Sequence, residues 1–323
     1  MILSACARAL PLAALLCLAA GCQSYNSASS SRGVSITESD KALLVTVNGE
    51  PFTQYHFKEV TRPFLYPVLG PGGAAMTRDW PMNDGPNDEK DHPHHKSLWY
   101  AHGEINGVDF WSESTNAGKT IHDGFIEVKS GKDAGVIKSR QKLVAKDGKV
   151  IATDVRTIRI YNTKPHRMLD YEVTIYASEG DLVLGDTKEG SMAIRVAPTM
   201  NLKGKVGQGH IVNSEGVRDG DTWGKRAKWC DYYGLVNGET VGVAIFDYPT
   251  NPRYPTWWHV RDYGLFAANP FGQHDFEKKA KGVGDLKVKA GEEVTFRYRF
   301  YFHEGTTDEA AIAARYDEYS AGK

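Results

Sequence analysis

The feature that most constrains the fold is a period-two alternation of apolar and polar residues, interrupted by Asn-Gly and Asp-Gly dipeptides. These dipeptides suit two-residue hairpin turns, because both central positions of such a turn take positive φ angles. Each of the clearest cases lies between two runs rich in β-branched and aromatic residues, and therefore predicts a pair of antiparallel strands. These cases are Asn48-Gly49, Asp147-Gly148 and Asn237-Gly238.

Strand-like runs cover most of the chain, and a helical pattern is clear only near its end. The runs that predict strands are residues 43–47, 52–57, 124–128, 136–145, 150–161, 169–177, 192–196, 229–236, 240–246, 286–288 and 294–302. Residues 307–319 have helical periodicity, with Asp308 as the expected cap and Ala310, Ala311, Ala314, Tyr316 and Tyr319 as docking side chains. Because so many strands must bury one face against another sheet, we expect an all-β fold, a large two-sheet sandwich with a short C-terminal helix.

Residues 1–21 resemble the signal peptide of a bacterial lipoprotein. Arg8 precedes a 12-residue apolar run, which is too short to span a bilayer comfortably. Small residues then lead to Cys22, which we expect to be lipidated as the first residue of the mature protein. The Ser-rich stretch that follows predicts a flexible tether over residues 22–38, and residues 39–323 are expected to form a single domain.

The residues after the lipidation site and the charge balance indicate the location and partners. By resemblance to known lipoproteins, Gln23 and Ser24 favour the outer membrane, so we expect an anchored cell-envelope protein that faces the periplasm or the exterior. Loss of Arg8 with the signal peptide leaves 38 of the 39 basic side chains against 40 acidic ones, which argues against a nucleic-acid partner. Cys230 is then the only unmodified cysteine, so no intrachain disulfide is expected.

Residues 91–99 hold three of the 11 histidines within four positions, namely His92, His94 and His95. They end a 27-residue loop, residues 70–96, and loops of this length without regular structure are usually functional or disordered. In an extended chain His92 and His94 project to one face and His95 to the other. Imidazole ligates metals and titrates near neutral pH. Three interpretations stay open: a divalent metal held by His92 and His94, acid–base or substrate contact, and a structural role.

Trp99 and Trp111 flank the histidine cluster. They are either core side chains or a platform on which sugar rings stack.

Glu189 precedes a strand that points Arg195 to the same face. Glu189 is either a general acid or base or an ordinary surface residue.

A Pro-rich loop leads into a strand end on which His259, Arg261 and Tyr263 share one face. This set suits the binding and polarisation of an oxygen-rich ligand; the alternative is a structural Arg–Asp pair beside a hydrogen-bonded histidine. Motifs for nucleotide cofactors and for serine hydrolases are missing, which makes both classes of chemistry unexpected.

At these segments the chain resembles a bacterial family named PmoA-like, a domain of unknown function. The matching features are Tyr66-Pro67 with Gly70-Pro71, His92 to Trp99, Asn106 to Trp111, Glu189-Gly190, Trp229 with Asp231-Tyr232, Asp247 to Pro249 with Asn251 to Arg253, Trp258 to Gly264, and Ala268 to Gly272. The resemblance covers about residues 40–318, and Lys96 stands where the family pattern has Arg. Members are similar to secreted proteins encoded near sugar oxidoreductases and polysaccharide-degrading enzymes. The resemblance therefore implies carbohydrate work, on a sandwich of the galactose-mutarotase kind.

The name of that family implies methane oxidation. Methane oxygenase subunits have several membrane-spanning helices, whereas no segment after residue 21 is apolar enough to form one. The name therefore looks like a misattribution for a chain of this kind.

The leading hypothesis is a carbohydrate-active enzyme, a hydrolase or lyase, that acts on a glycoside or an oxidised sugar. Its catalytic residues are expected to be His94, His95, Glu189 and His259. Its substrate-binding residues are expected to be Trp99, Trp111, Arg195, Asp247, Trp258, Arg261 and Tyr263. The alternatives are a non-catalytic glycan-binding lipoprotein and a metal-dependent oxygenase, which the family name would favour.

Overall fold

The computed structural model describes Met1 and residues 32–322, so the expected signal peptide and Cys22 lie outside the described residues. In chain order the strands are β1 (Val34–Glu38), β2 (Ala42–Val47), β3 (Glu50–His56), β4 (Phe64–Val68), β5 (Leu98–His102), β6 (Lys119–Lys129), β7 (Ala134–Val144), β8 (Val150–Tyr161), β9 (Arg167–Tyr176), β10 (Leu182–Leu184), β11 (Gly190–Arg195), β12 (His210–Asn213), β13 (Trp229–Val236), β14 (Glu239–Asp247), β15 (Trp257–Val260), β16 (Leu265–Asn269), β17 (Leu286–Val288) and β18 (Glu293–Glu304). The helices are α1 (Gln273–Glu277) and α2 (Ile312–Ser320), with short 3-10 turns at Pro71–Gly73, Pro198–Met200 and Asp219–Thr222.

The strands form two eight-stranded antiparallel sheets and a small pair, β10 with β17. The first sheet has the order β1-β2-β3-β4-β5-β11-β16-β15, and the second has the order β12-β13-β14-β18-β9-β8-β7-β6. The three hairpins predicted from the Asn-Gly and Asp-Gly dipeptides are confirmed: they join β2 to β3, β7 to β8 and β13 to β14. The expected all-β, two-sheet sandwich with a short C-terminal helix is therefore confirmed.

The main hydrophobic core lies between the inner faces of the two sheets. Alternate residues of each strand point into it, and Phe52 of the first sheet meets Phe302 of the second with ring centroids 6.0 Å apart. The residues of opposite parity form a smaller apolar layer on the outside of each sheet. On the first sheet this outer layer includes Trp99 and Leu265, and on the second sheet α2 covers it. The outer layer of the first sheet is the floor of the candidate site.

The folded body begins earlier than the sequence predicted. Val34–Glu38 form β1, which pairs along its length with β2. Residues 34–38 of the predicted tether are therefore part of the first sheet. Val34 is buried in the main core, which explains why this short segment is held as a strand.

The C-terminal helix begins later than predicted. Ala311 has a φ of 51°, a left-handed conformation through which a right-handed helix does not continue, so α2 starts at Ile312. Asp308 does not cap the helix, because no side chain makes a capping hydrogen bond at its start. The helix docks through Ile312, Tyr316 and Tyr319, whereas Ala311 and Ala314 are exposed. None of the described helices is both long and apolar enough to cross a membrane.

Candidate functional site

A cleft of about 640 Å³ opens on the outer face of the first sheet. Its walls come from segments that are far apart in sequence: the loop before β5, the turn after β5, the residues before β11 and the turn after β15. The four expected catalytic residues all line it, namely His94, His95, Glu189 and His259. His92 and three of the expected substrate-binding residues, Trp111, Arg261 and Tyr263, also line it.

The histidine loop is a tight turn and not an extended segment. His92 has a φ of 42°, and the His95 amide donates to the His92 carbonyl at 3.0 Å. The rings of His92 and His94 both pack on the His95 ring, with centroids 4.7 and 4.4 Å away. The separation onto two faces that an extended chain would give does not occur, because the turn brings all three rings to one cleft.

Two buried arginines hold this turn. Arg78 donates to the carbonyl oxygens of Asp91 and His92, each at 3.1 Å, and also pairs with the Asp91 carboxylate. Arg195 donates to the same carboxylate at 2.9 Å. Burial raises the pKa of Asp91, but the hydrogen bond from His92 and the charges of Arg195 and Arg78 together lower this pKa below its usual range. The carboxylate therefore stays ionised and keeps both guanidinium groups in place.

Arg195 also determines which nitrogen of His95 carries a proton. Its Nη1 donates to His95 Nδ1 at 3.0 Å. A guanidinium has no acceptor, so Nδ1 must be the acceptor. Burial, followed by the charges of His94 and Arg195, lowers the pKa of His95 far below its ordinary value, so the neutral ring carries its one proton on Nε2. No described residue hydrogen bonds to Nε2, and 1% of the His95 surface is exposed, at the floor of the cleft.

An aromatic stack supports the imidazoles from below. Tyr263, His92, His95 and Trp99 follow one another with centroid separations of 5.1, 4.7 and 5.4 Å. Trp99 has no exposed surface, so the substrate-binding role expected for it is wrong. Trp111 lines the cleft, but only 1% of its surface is exposed, and it meets the His95 ring edge-on at 5.7 Å. Both tryptophans therefore support histidines and form no open platform for sugar rings.

Two further imidazoles of the cleft, His94 and His259, are neutral at pH 7. Burial, reinforced by the Arg62 guanidinium, lowers the pKa of His94 to about 4. Burial, reinforced by Arg261 and Lys188, lowers the pKa of His259 to about 3. His259 Nδ1 is buried and has no hydrogen-bond partner within the described part of the chain. A neutral imidazole accepts a proton, so His94 and His259 can act as bases.

Arg261 is a cation in the cleft that pairs with no carboxylate of the described residues. Its guanidinium lies against the rings of Trp223 and Tyr263, 5.8 and 5.5 Å from their centroids. The adjacent Asp262 pairs with Lys203 at 3.0 Å, so the structural Arg–Asp pair that the sequence allowed does not form. A stacked, unpaired guanidinium suits an anionic group of a ligand.

Glu189 lies at the rim of the cleft. Its side chain is 41% exposed and pairs with Lys188 at 3.0 Å. The carboxylate is close to solvent and already has a counter-ion, so it is a weaker candidate for proton transfer than the buried imidazoles.

Two expected substrate-binding residues lie away from the cleft, and their predicted roles are wrong. Trp258 alternates with His259 along β15, so it faces the main core and has no exposed surface. Asp247 ends β14 in the second sheet, where it accepts hydrogen bonds from the Asn251 side chain at 2.7 Å and the Thr256 amide at 2.8 Å. Burial raises the pKa of Asp247 to about 7. It fixes the loop that contains Asn251 and Thr256.

Arg195, the remaining expected substrate-binding residue, lies beneath the cleft. Only 1% of its surface is exposed, and its donors are directed at Asp91 and His95. It is therefore a positioning residue, which acts through His95.

Several site residues were missed by sequence reasoning. Arg78 and Arg62 come from outside the motifs, and Arg62 donates to the His94 carbonyl at 2.7 Å. Asp109 lines the cleft and accepts from the amides of Trp111 and Ser112 at 2.7 and 3.1 Å. Asp109 stands inside a quoted motif, so it could have been found, whereas neither arginine has a local signal.

The described residues contain no group of three or more His, Cys, Asp or Glu side chains arranged to hold a metal ion. The rings of His92 and His94 are 5.7 Å apart, and His92 Nδ1 is engaged by Asp91 at 2.7 Å. A divalent metal at His92 and His94 stays a prediction.

The fold and the cleft together define a class of protein: an all-β, two-sheet sandwich with a cluster of neutral imidazoles on the outside of one sheet. The chain belongs to a family of unknown function (DUF6807), whose model matches residues 42–317. That description contains no link to the PmoA-like name. No curated protein sequence matches the chain.

Several solved structures are similar to this one in fold. Galactose 1-epimerase from Lactobacillus acidophilus matches with a TM-score of 0.43 and 7% identity, over 85% of this chain and 100% of that one. A galactose mutarotase-like protein from Lactobacillus casei matches with a TM-score of 0.31 and 10% identity, over 84% and 100%. A glycoside hydrolase family 97 enzyme from Pseudoalteromonas sp., solved in complex with panose, matches with a TM-score of 0.34 and 11% identity, over 84% and 34%. All three TM-scores are below 0.5.

Proposed function

We propose that this protein is a carbohydrate-active enzyme, a lyase or hydrolase, and that its substrate is a glycoside or oxidised sugar bearing an anionic group. The observation that carries the proposal is the convergence of three neutral imidazoles and an unpaired guanidinium in one cleft. Titratable groups with strongly shifted pKa values in a cleft are candidates for proton transfer.

His94 is the proposed general base. Its pKa of about 4 keeps the ring unprotonated at neutral pH, and its side chain makes no hydrogen bond with the described residues. In a lyase reaction it takes a proton from carbon; the electron pair left behind forms a double bond and expels the neighbouring glycosidic oxygen. In a hydrolase reaction it takes a proton from water, which attacks the anomeric carbon. In the lyase reaction the imidazolium can return the proton to the departing oxygen. In the hydrolase reaction water attacks from the opposite face of the sugar, so a second acid has to protonate the departing oxygen.

His95 and Arg261 are proposed to stabilise negative charge. The Nε2–H of His95 donates to the oxygen on which charge develops, and Arg195 prevents the ring from switching to the other tautomer. Arg261 binds the carboxylate or another anionic group of the sugar. His259, which lines the cleft and has a lowered pKa, is the second base candidate.

The test is turnover of a panel of glycosides, uronic-acid oligosaccharides and oxidised monosaccharides. We expect His94→Gln and His259→Gln each to lower kcat by about 10²- to 10⁴-fold, the usual contribution of a positioned acid or base. His166→Gln is a matched control, because His166 is a half-buried histidine that packs on Tyr301 of the second sheet. Substrate turned over equally well by both cleft variants would refute the proposal. Binding without product in the unaltered protein would favour the glycan-binding alternative.

We propose in addition that Cys22 is lipidated and anchors the protein to the outer membrane. The support is the sequence alone: a short apolar run and small residues lead directly to this cysteine. We expect the native protein to partition into detergent and Cys22→Ser to stay in the aqueous phase; equal partitioning would exclude the anchor.

A further inference from the structure

A second cavity, about 670 Å³ in volume, lies on the outer face of the second sheet. We call it the tyrosine groove and define it by Tyr161, Tyr248 and Tyr319. Its floor is made by β7, β8, β9 and β18, and one wall is made by the end of α2. The histidine cleft is on the outside of the other sheet, so the two cavities share no residue.

One wall of the tyrosine groove is rigid before any ligand arrives. Arg299 lies over the rings of Tyr161 and Tyr319, 5.2 and 4.5 Å from their centroids. Its Nε and Nη2 donate to the two oxygens of Asp170 at 2.6 and 3.0 Å, and the Tyr161 hydroxyl donates to the same carboxylate at 2.6 Å. Tyr248 meets Tyr319 edge-on at 5.2 Å. Aromatic walls held in this way suit the apolar faces of sugar rings.

The floor of the groove has an excess of positive charge, and the strand register explains it. Arg159 on β8 is directly opposite Asp170 on β9, but that carboxylate is already held by Arg299 from β18. Glu172 is likewise engaged by Arg297 at 2.6 Å. Both acids of the groove are thus occupied.

Two cations of the groove make no ion pair with a described residue, although Glu127 of β6 is opposite one of them, Lys138, in the ladder. These are Arg159 on β8 and Lys138 on β7, the strand next to it. They lie diagonally across the β7–β8 ladder, with Lys138 opposite Thr157 and Arg159 opposite Val136. There they can receive anionic substituents of a ligand whose rings lie on the aromatic wall.

We infer that the tyrosine groove is a second binding site, which takes a segment of an acidic polysaccharide. The rings of the polymer stack on Tyr248 and its neighbours, and carboxylate or sulfate groups pair with Lys138 and Arg159. The inference does not depend on the proposed chemistry of the cleft, since no cleft residue takes part. Such a site would keep a polymer on the protein while the cleft works at another point along it.

Affinity electrophoresis of the full chain tests the inference. Native gels contain polygalacturonate as the carboxylate polymer, chondroitin sulfate as the sulfate polymer, neutral dextran, or linear polyphosphate. We expect retardation by one or both acidic polysaccharides and none by dextran. We expect the apparent affinity for the acidic polymer to decrease by about tenfold in Lys138→Ala/Arg159→Ala and likewise in Tyr248→Ala, because each variant loses a few direct contacts.

Two controls separate the groove from general charge and from the cleft. Lys132→Ala/Lys287→Ala removes the same charge from exposed positions that lie outside the groove, and it should be retarded like the unaltered protein. His94→Gln should also be retarded fully even though its turnover is lost, so failure of the groove and failure of the proposed enzyme are seen separately.

Three results would overturn the inference. Retardation of the Lys138→Ala/Arg159→Ala variant equal to that of Lys132→Ala/Lys287→Ala would place binding elsewhere. Equal retardation by polyphosphate would show that charge alone is recognised. No retardation by either acidic polysaccharide would show that the groove is not a site for this class of ligand.

Discussion

Arg62 and Arg195 determine how the imidazoles of the cleft behave. Arg62 donates to the His94 carbonyl, and its charge disfavours protonation of the His94 ring. Arg195 supplies the hydrogen bond that fixes the His95 tautomer. Both guanidinium groups are buried, so they influence the cleft without facing it.

The first prediction concerns His94. Because burial and Arg62 lower its pKa to about 4, we expect its ring to titrate near that value in an NMR titration, well below an exposed histidine at about 6.5. If His94 is the base, kcat/KM should be level at neutral pH and fall as pH decreases through about 4. A midpoint near the ordinary histidine value would show that the ring is solvated, and would remove the reason for assigning it as the base.

The second prediction concerns Arg195. In the unaltered protein, ¹⁵N shifts of the His95 ring should show a single neutral form with the proton on Nε2. Arg195→Gln retains an amide donor but loses the charge and the bond to Asp91, so we expect a mixture of the two His95 tautomers. We also expect kcat to decrease by about 10- to 100-fold, as it does when a residue that orients a site side chain is replaced. Arg195→Lys should recover part of both effects. Unchanged shifts in Arg195→Gln would mean that another group orients His95.

At the residue level, some of the site could be read from the sequence. The grouping of His259, Arg261 and Tyr263 follows from strand alternation, and the cleft contains all three. The same alternation places Trp258 in the core, and applying it strictly would have excluded that residue. The convergence of the His92 turn with Arg78 could not be read, because the positive φ of His92 and the long-range ion pair have no local pattern.

Among the structural elements, the hairpin between β15 and β16 positions Arg261 and Tyr263. The Arg261 amide donates to the Leu265 carbonyl at 2.7 Å, and the Gly264 amide donates to the Arg261 carbonyl at 3.1 Å. Gly264 has a φ of 94°, and a Cβ added there would collide with the Asn201 side chain. This turn therefore needs glycine for both its backbone angle and its surroundings.

The third prediction follows from that turn. Gly264→Ala should destabilise the protein by about 1–3 kcal/mol, since it combines backbone strain with a steric clash. It should also lower the affinity of the cleft for an anionic ligand, because it displaces Arg261. Gly291→Ala is the matched control: its φ is 81° but a Cβ there meets nothing within 4 Å, so only the strain of about 1 kcal/mol applies. Urea denaturation gives both values. Equal losses in the two variants would show that the turn tolerates the side chain.

Local turn chemistry explains why the hairpins were predictable and the sheet order was not. A dipeptide such as Asn48-Gly49 determines the pairing of its two flanking strands. In contrast, β5 pairs with β11, which lies far along the chain, and no short-range signal encodes that contact. The same holds for α2, whose start depends on the left-handed Ala311.

For the whole molecule, the two outer faces of the sandwich carry different chemistry. The first sheet presents neutral imidazoles and one unpaired arginine; the second presents tyrosines and excess cations. The described part of the chain contains one cysteine, Cys230, which is buried and free. The packed core and buried polar pairs such as His303 with Asp231 stabilise the body.

One of those pairs should make global stability depend on pH. His303 near the end of β18 contacts Asp231 of β13 at 2.9 Å, and Thr307 donates to the other oxygen of that carboxylate at 2.7 Å. Burial lowers the pKa of His303, but the Asp231 carboxylate raises it by more, so that this pKa lies above its ordinary value. The pair ties the last strand, and the segment that leads to α2, to the second sheet.

The fourth prediction is that His303→Gln costs more stability at pH 6 than at pH 9. A histidine whose pKa is raised by folding stabilises fully below the unfolded value of about 6.5, and this contribution is lost as pH rises through the folded value. The loss in unfolding free energy should therefore be larger at pH 6 than at pH 9. Asp247, whose pKa is raised to about 7, also makes the protein less stable as pH rises from about 4 to 7. Asp247 contributes equally to His303→Gln and to the unaltered protein, so comparing the two at each pH cancels its contribution. His166→Gln is the control for loss of a histidine outside the pair. A pH-independent difference in the urea midpoint would show that His303 is neutral in the folded protein.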